Sequence, residues 1–548
     1  VTPKWWDDIW LNESFATWMS AKIANDVKPD QEFGRRTLGN AETVMRLDEL
    51  PSARQVHNPV HTPDDLANAF DDITYSKGAA VLAMFENYVG ADAWQKGIHA
   101  YLKKYAFKNA TADDFIGTIA QTTKRPEIVA AFHSFIDQPG IPLLTTRKLC
   151  KNGKANLVVT QTQYAPVGIK VAQGKWDVPY CAESDGKKIC HIVQPPKTEI
   201  ALGGACSNAL YPNAKGTGYY RFTAPDEKWQ SWIERAPGMS PEDQYTLFHD
   251  VDAGLRGDYA TANDYFSTIK ALAPHATWDL LDRGLIDSLH DLRVTGVVSG
   301  DDLAKLQAFI RTNFSDRMTK LGIAAKPGEP AADTLSRVYL AQLLVEEGND
   351  TALINKLSKA AQAYLKSDGK DYGGMAPELL KEAMRAGVMS QGAPFVDKLI
   401  GAMKASDDEY FVQSVIYAVA GSIDPASLKK MLDLSLTPDM RIGDMRYVWR
   451  YFEEEAAARP ILWDWFKSNF DALKTRLSAQ GFSGGPSILR YGCDENAKTE
   501  LDAFFGPKTS ELEGTVRTLK QNDDRIDRCV AFKQAKADEI ATALNAMR

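Results

Sequence analysis

The sequence predicts a multidomain, mainly α-helical protein with one small antiparallel β-sandwich set between two helical stretches. Three observations predict it. The chain has 548 residues, and a single hydrophobic core stops growing near ~250–300 residues, so about three domains are expected. Apolar residues recur at helical spacing through residues 1–142 and again from 225 to the end. Between them, over 143–224, the period drops to two.

In the first stretch, EFGRRTLGNAETVMRLDEL, YSKGAAVLAMFENYVG, DAWQKGIHAYLKKYAF and TADDFIGTIAQ each carry an apolar face at helical spacing. Thr111 ahead of Ala112-Asp113-Asp114 is a helix start signal, and Gly90 after Val89 is a stop. Gln138-Pro139-Gly140-Ile141-Pro142 then breaks the pattern. LLTTRKL, NLVVTQTQY, WDVPYCAE, KKICHIV, TEIALG and GYYRFTA follow as short β-rich runs separated by Gly, Pro and Asn. From 225 to 548, helices of roughly 12–18 residues succeed one another with short breaks, a pattern similar to an α-solenoid of the HEAT type. The domain boundaries are therefore expected at 1–142, 143–224 and 225–548.

Six cysteines stand at 150, 181, 190, 206, 493 and 529. Asp185-Gly186 is a two-residue hairpin turn, and folding about it pairs 184 with 187 and 181 with 190. Cys181 and Cys190 then face each other within disulfide reach. Two small buried residues or a metal clip remain the alternatives. Cys493 and Cys529 flank a helical stretch and could staple a helix pair; Cys150 and Cys206 are left over. A disulfide implies an oxidising compartment, periplasmic or secreted, with cytoplasmic as the alternative.

Composition removes several function classes. A net charge of −8 gives no general attraction to nucleic acid or anionic lipid. No run of about 18 apolar residues is present, so no membrane span is predicted. VTPKWWDDIW lacks the charged and apolar regions of a signal peptide, and Val1 is not an initiator Met, so a missing N-terminal part is expected.

Two segments carry chemistry. In WWDDIWLNESFATWM, Trp6, Ile9, Trp10 and Glu13 share one helix face, and a carboxylate there must meet a cation, a metal or water. Read alone, Glu13 is a paired or solvent-edged carboxylate near a helix start. In FDDITYSKGAAVLAMFENYVG, Tyr75 sits where a helix begins, and read alone it packs its ring on the core. His57 and His61 have the i, i+4 spacing of a zinc-binding helix, but Pro59 and Pro63 exclude a helix there, so they are loop histidines. The other six histidines, at 99, 133, 191, 249, 275 and 290, show no ligand spacing.

VTPKWWDDIWLNESFATWM resembles the stretch that follows the HExxH helix of M1 (gluzincin) zinc aminopeptidases, whose third ligand is the glutamate of WLNE. Trp5, Trp6, Asp7, Trp10, Leu11 and Asn12 match as they stand. The resemblance implies that Glu13 is a Zn2+ ligand in a two-His, one-carboxylate site. The second His of HExxH would then lie seven residues before Val1. ITYSKGA resembles the family's I-x-Y-x-K-G-A helix start and implies that Tyr75 donates to the oxyanion. HAYLKKYAFKNATADDF is similar to the end of the family's catalytic lobe. LYPNAKGTGYYRF is similar to its GYYR edge, with Leu210 and Tyr211 in place of more usual residues. A thermolysin-like helical half-lobe over 1–142 is implied, with peptides as substrates.

The chain has neither HExxH nor a GAMEN-type segment, so it is expected to be inactive alone, with Trp5, Trp6 and Trp10 partly exposed. The rival reading is a non-catalytic sandwich-plus-solenoid binding module with a decayed site. A third, an epoxide-hydrolysing relative, is disfavoured by the long helical tail.

Overall fold

Helical periodicity in the first stretch produces five principal helices, α1 (Ile9–Val27), α2 (Arg36–Asp48), α3 (Gly78–Val89), α4 (Ala91–Lys104) and α5 (Ala112–Thr123), followed by α6 (Glu127–Ile136). The computed structural model describes residues 1–547 apart from 63, 64, 67, 152, 185, 186, 206–209, 478–481, 483 and 513. These residues fall into two compact units, Val1–Leu272 and Ala273–Arg548.

Local chemistry explains the helix ends in the first unit. Thr111 and Asp114 form a reciprocal capping box at the start of α5. Gly90 stops α3 at φ +96°, a conformation that favours glycine. The Gln138–Pro142 breaker holds, and β-structure begins at Pro142. A short parallel pairing of β1 (Thr2–Pro3) with β2 (Asn109–Ala110) ties the chain start to the α4–α5 connection.

The period-two stretch forms two small sheets. Strands β3 (Pro142–Lys151), β4 (Lys154–Gln163), β7 (Lys197–Ala205) and β9 (Arg221–Thr223) align in the order β7-β4-β3-β9. Strands β5 (Val178–Ser184), β6 (Lys187–Val193) and β8 (Leu210–Tyr211) align as β6-β5-β8. All pairings in these two sheets are antiparallel except β3 with β9, which run parallel from Leu143↔Arg221.

The β5–β6 register pairs Ser184 with Lys187 and Cys181 with Cys190, as a two-residue connection requires. The turn residues Asp185 and Gly186 lie outside the described residues. Cys181 and Cys190 are joined, with Cα atoms 4.1 Å apart. Cys493 is joined to Cys529 across 36 residues. Cys150 is also disulfide-bonded; Cys206 lies outside the described residues. After the sheets, α7 (Trp229–Ile233), α8 (Pro241–Arg256) and α9 (Ala262–Leu272) complete the unit.

The second unit is helical. It includes α10 (Asp287–Val294), α11 (Gly300–Leu321), α12 (Ala331–Gln342), α13 (Thr351–Lys366), α14 (Leu380–Gln391), α15 (Ala393–Lys404), α16 (Glu409–Ala420), α17 (Pro425–Leu434) and α18 (Ile442–Glu453). Helices α14, α16 and α18 pack in succession, with α15 and α17 between them in sequence. Helix α16 is buried on nearly every face, which its apolar run FVQSVIYAVA permits. Among the described residues no helix is long and apolar enough to cross a membrane.

Candidate active-site pair

Glu13 lies in the second turn of α1, half-buried. Tyr75 lies in a π-helical turn, Ile73–Lys77, that feeds directly into α3. Such turns insert an extra residue and re-aim side chains, and they recur at functional sites. The Tyr75 hydroxyl lies beside the Glu13 carboxylate, close enough to feel its charge. Burial raises the phenol's pKa above its usual 10, and the Glu13 charge raises it further. The phenol therefore stays protonated, and a donor, throughout the neutral range.

The neighbours of this pair explain why it is held. Ser14 Oγ donates to the Thr74 carbonyl at 2.6 Å in a buried contact, so the residues flanking Glu13 and Tyr75 are stitched together. A Cβ at Gly78 would fall 1.9 Å from that Ser14 oxygen, so the close approach of α1 and α3 requires glycine there. Arg54 donates to Asp71 and to the Thr74 hydroxyl, both at 2.6 Å, and fixes the entry to the turn.

Lys77 fixes the exit. Its ammonium, fully buried, meets Asp48 at 2.8 Å and donates to the Gln138 carbonyl at 3.2 Å. Asp48 also accepts from the Gly140 amide at 2.9 Å and the Tyr219 hydroxyl at 3.0 Å. Burial lowers the Lys77 pKa, and the Asp48 charge works against that. The sequence reading singled out none of Ser14, Arg54, Asp48, Lys77 and Tyr219. Lys77, Gly78 and Tyr219 stand inside the quoted motifs, whereas Asp48 gives no local signal.

One exposure expectation is corrected. Trp5 and Trp6 are 59% and 41% exposed, but Trp10 is completely buried. Its ring packs 5.9 Å from that of Phe132 on α6, so α1 finds a cover for this side chain within its own unit. His57 and His61 lie in a loop, and His57 contacts Asp137 at 3.0 Å and Asp8 at 3.6 Å.

The GYYR segment grips α2 twice, through Tyr219 to Asp48 and through Arg221 to Glu42 at 2.6 Å. His249 lies 3.8 Å from the same Glu42. Burial pushes its pKa down from 6.5 to about 4. The folded protein thus keeps His249 neutral where the unfolded chain, below its pKa of ~6.5, takes up a proton. His249 contributes stability that is present above pH ~6.5 and lost as pH falls toward 4. Between pH 7 and 5 the loss is on the order of 2 kcal/mol. The difference in unfolding free energy between the two pH values, from urea titrations, is expected to shrink by that amount in His249→Gln; an unchanged difference refutes the assignment.

Among the described residues one further group could hold a metal ion: His290, Glu346 and Glu347 in the second unit. Arg293 already donates to both Glu347 oxygens, at 2.8 and 3.0 Å, and Arg385 lies 4.0 Å from Glu346. Against the cost of burial, Arg293 and His290 hold the Glu347 carboxyl well below the usual range. Two guanidiniums supply the countercharge a metal would bring, so this group is an internal ion network. His290, one of the histidines without ligand spacing in the sequence, meets Glu347 at 2.9 Å.

Residues 1–137 match the peptidase family M1 domain, and residues 209–528 match the ERAP1-like C-terminal domain. The chain belongs to the M1 peptidase family. Aminopeptidase M1-A of Oryza sativa subsp. japonica is 26% identical over 542 residues, covering 96% of this chain and 60% of that protein. Probable aminopeptidase 2 of Sulfurisphaera tokodaii is 27% identical, covering 97% and 64%. Tricorn protease-interacting factor F2 of Thermoplasma acidophilum is 26% identical, covering 88% and 57%. The chain spans about three-fifths of the length of the curated relatives it matches.

Proposed function

We infer that this chain forms part of a zinc-dependent aminopeptidase that removes N-terminal residues from peptides. The observation that carries the reading is the placement of the Tyr75 hydroxyl beside the Glu13 carboxylate, held by the Ser14–Thr74 contact. The donor chemistry fits one corner of a zinc site: a hard oxygen ligand on a rigid helix, oriented by a neighbouring hydrogen bond. Among the described residues no His joins it in a metal-sized group. The two His ligands, the HExxH general base and the GAMEN-type glutamate that holds the substrate's free amine are assigned to sequence outside these 548 residues.

Bound zinc would supply a polarised water and an electrophile for the scissile carbonyl. Glu13 would hold one coordination position. Tyr75, neutral and already aimed at the site, would donate its hydrogen bond to the oxygen on which negative charge develops. A decayed site would have no reason to keep both residues in contact, which counts against the binding-module reading. The three-domain division at 142 and 224, with a HEAT-like solenoid after it, is part of the same proposal. So is a periplasmic or secreted location, which the Cys181–Cys190 and Cys493–Cys529 bridges support.

The test compares this polypeptide with one extended by the coding sequence upstream of Val1. The extension is expected to encode HExxH with its second His seven codons before Val1. The extended protein should bind one zinc and hydrolyse an aminoacyl-anilide, and the 548 residues alone should do neither. Hydrolysis by the 548 residues alone, or an upstream sequence without HExxH, overturns the reading.

A further inference from the structure

The second unit carries a cavity of ≈ 660 Å³ between the end of α11 and the middle of α13. Four lysines line it: Lys320 at the end of α11, Lys326 in the following loop, and Lys356 and Lys359 on α13. No carboxylate lines it. All four lysines are exposed, and among the described residues none forms an ion pair. In a chain with a net charge of −8, a cavity lined by four lysines and no carboxylate is a local reversal of sign.

Glu329, in the same loop as Lys326, already has its countercharge: the guanidinium of Arg337 grips it at 2.6 and 2.5 Å, and its carboxyl is held down at about 2. The walls are fixed before any ligand arrives. Buried Arg337 donates to the Gly322 carbonyl at 3.0 Å, and the Ala376 amide donates to Ile323 at 2.7 Å. Gly373, at φ +60°, lies so close to α13 that a Cβ there would fall 2.7 Å from the Ala360 Cα. Only glycine allows that approach, so the loop and helix form one preformed rim.

The geometry points to a binding site for a small anion of several charges that carries phosphate groups. The volume lies in the ~300–1,000 Å³ range of small-molecule sites. The cations are all lysines, point charges that bind phosphate oxygens, and four of them favour a ligand that carries more negative charge than a tricarboxylate. The small wall residues Ala324, Ala360, Ala363, Gly373 and Gly374 keep the volume open, and Lys326 donates to the Lys320 carbonyl at 3.1 Å at its edge.

The test is calorimetric titration of the chain with sodium tripolyphosphate at low salt, repeated at raised salt and with citrate. One site is expected, weakened by salt and tighter for tripolyphosphate than for citrate. Lys356→Glu with Lys359→Glu should weaken it by roughly thirtyfold or more, taking a factor of ~5 for each lost charge contact in water. These lysines are exposed on a helix, so the fold should survive, which circular dichroism checks. Lys320→Gln with Lys326→Gln should weaken binding by a similar mechanism. Lys429→Glu with Lys430→Glu, exposed lysines paired to Asp433 and Asp397, should leave it unchanged. No heat in the parent, equal binding in the cavity variants, or citrate binding as tightly overturns the proposal.

Discussion

Lys77→Met is expected to destabilise the first unit by about 3–5 kcal/mol, the cost of breaking a buried ion pair and leaving its partner charged and dry. Lys77 and Asp48 are both completely buried and 2.8 Å apart. Removing the ammonium leaves Asp48 with the Gly140 amide and the Tyr219 hydroxyl as its donors. Methionine fills the volume, so the loss reports the charge, with little contribution from a cavity. For a unit of this size, Tm should fall on the order of 10 °C. Tyr219→Phe should cost less, about 1.5–3 kcal/mol, because it removes one hydrogen bond to a charged group. The pair Lys77→Met with Asp48→Leu should recover much of the loss, since no uncompensated charge remains. Urea denaturation measures all three. A Lys77→Met midpoint indistinguishable from the parent would mean that Asp48 is satisfied without its cation.

The same pair shows what the sequence could and could not disclose. Lys77 stands within I-x-Y-x-K-G-A, yet the motif gives no reason for a lysine two residues after the tyrosine. The reason is Asp48, 29 positions upstream on α2, together with Tyr219 on the far side of the sheets. Contacts of that sequence separation leave no periodicity. The β5–β6 register was legible because Asp185-Gly186 fixes it locally, and Cys181 opposite Cys190 follows by counting. Trp10 was misjudged for the converse reason. A helical pattern names the apolar face of α1, but it does not name the neighbour, and Phe132 on α6 supplies it. The π turn at Ile73–Lys77 was equally invisible, since its sequence reads as an ordinary helix start.

Charge networks in the second unit were illegible for a further reason. Arg293, Glu347 and Glu455 come from three segments spread over some 160 residues, and each alone resembles a solvated surface charge. Only the packing of their helices removes water and makes the pairing obligatory. Periodicity thus settled where helices lie, while burial decided which polar residues matter. Glu13 and Tyr75 fall between these cases. Their residue types and faces could be read from the sequence, and resemblance gave their roles, but their mutual contact depends on the Ser14–Thr74 stitch and the Gly78 approach.

Tyr75→Phe, made in the zinc-loaded enzyme that we infer, should lower kcat by about 10²–10³ while leaving KM and zinc content nearly unchanged. The substitution removes one oxygen and keeps the ring, so packing of the π turn is preserved. Only the donor to the developing oxyanion is lost, and that donor acts in the transition state. Glu13→Gln should behave differently: its amide is a poorer ligand, so zinc content falls first and activity falls with it. The two variants therefore separate ligand from donor by metal analysis as well as by rate. A Tyr75→Phe enzyme within tenfold of the parent would remove Tyr75 from the chemistry. It would leave the residue as a ring that packs at a helix start, with the hydroxyl serving only to orient Glu13.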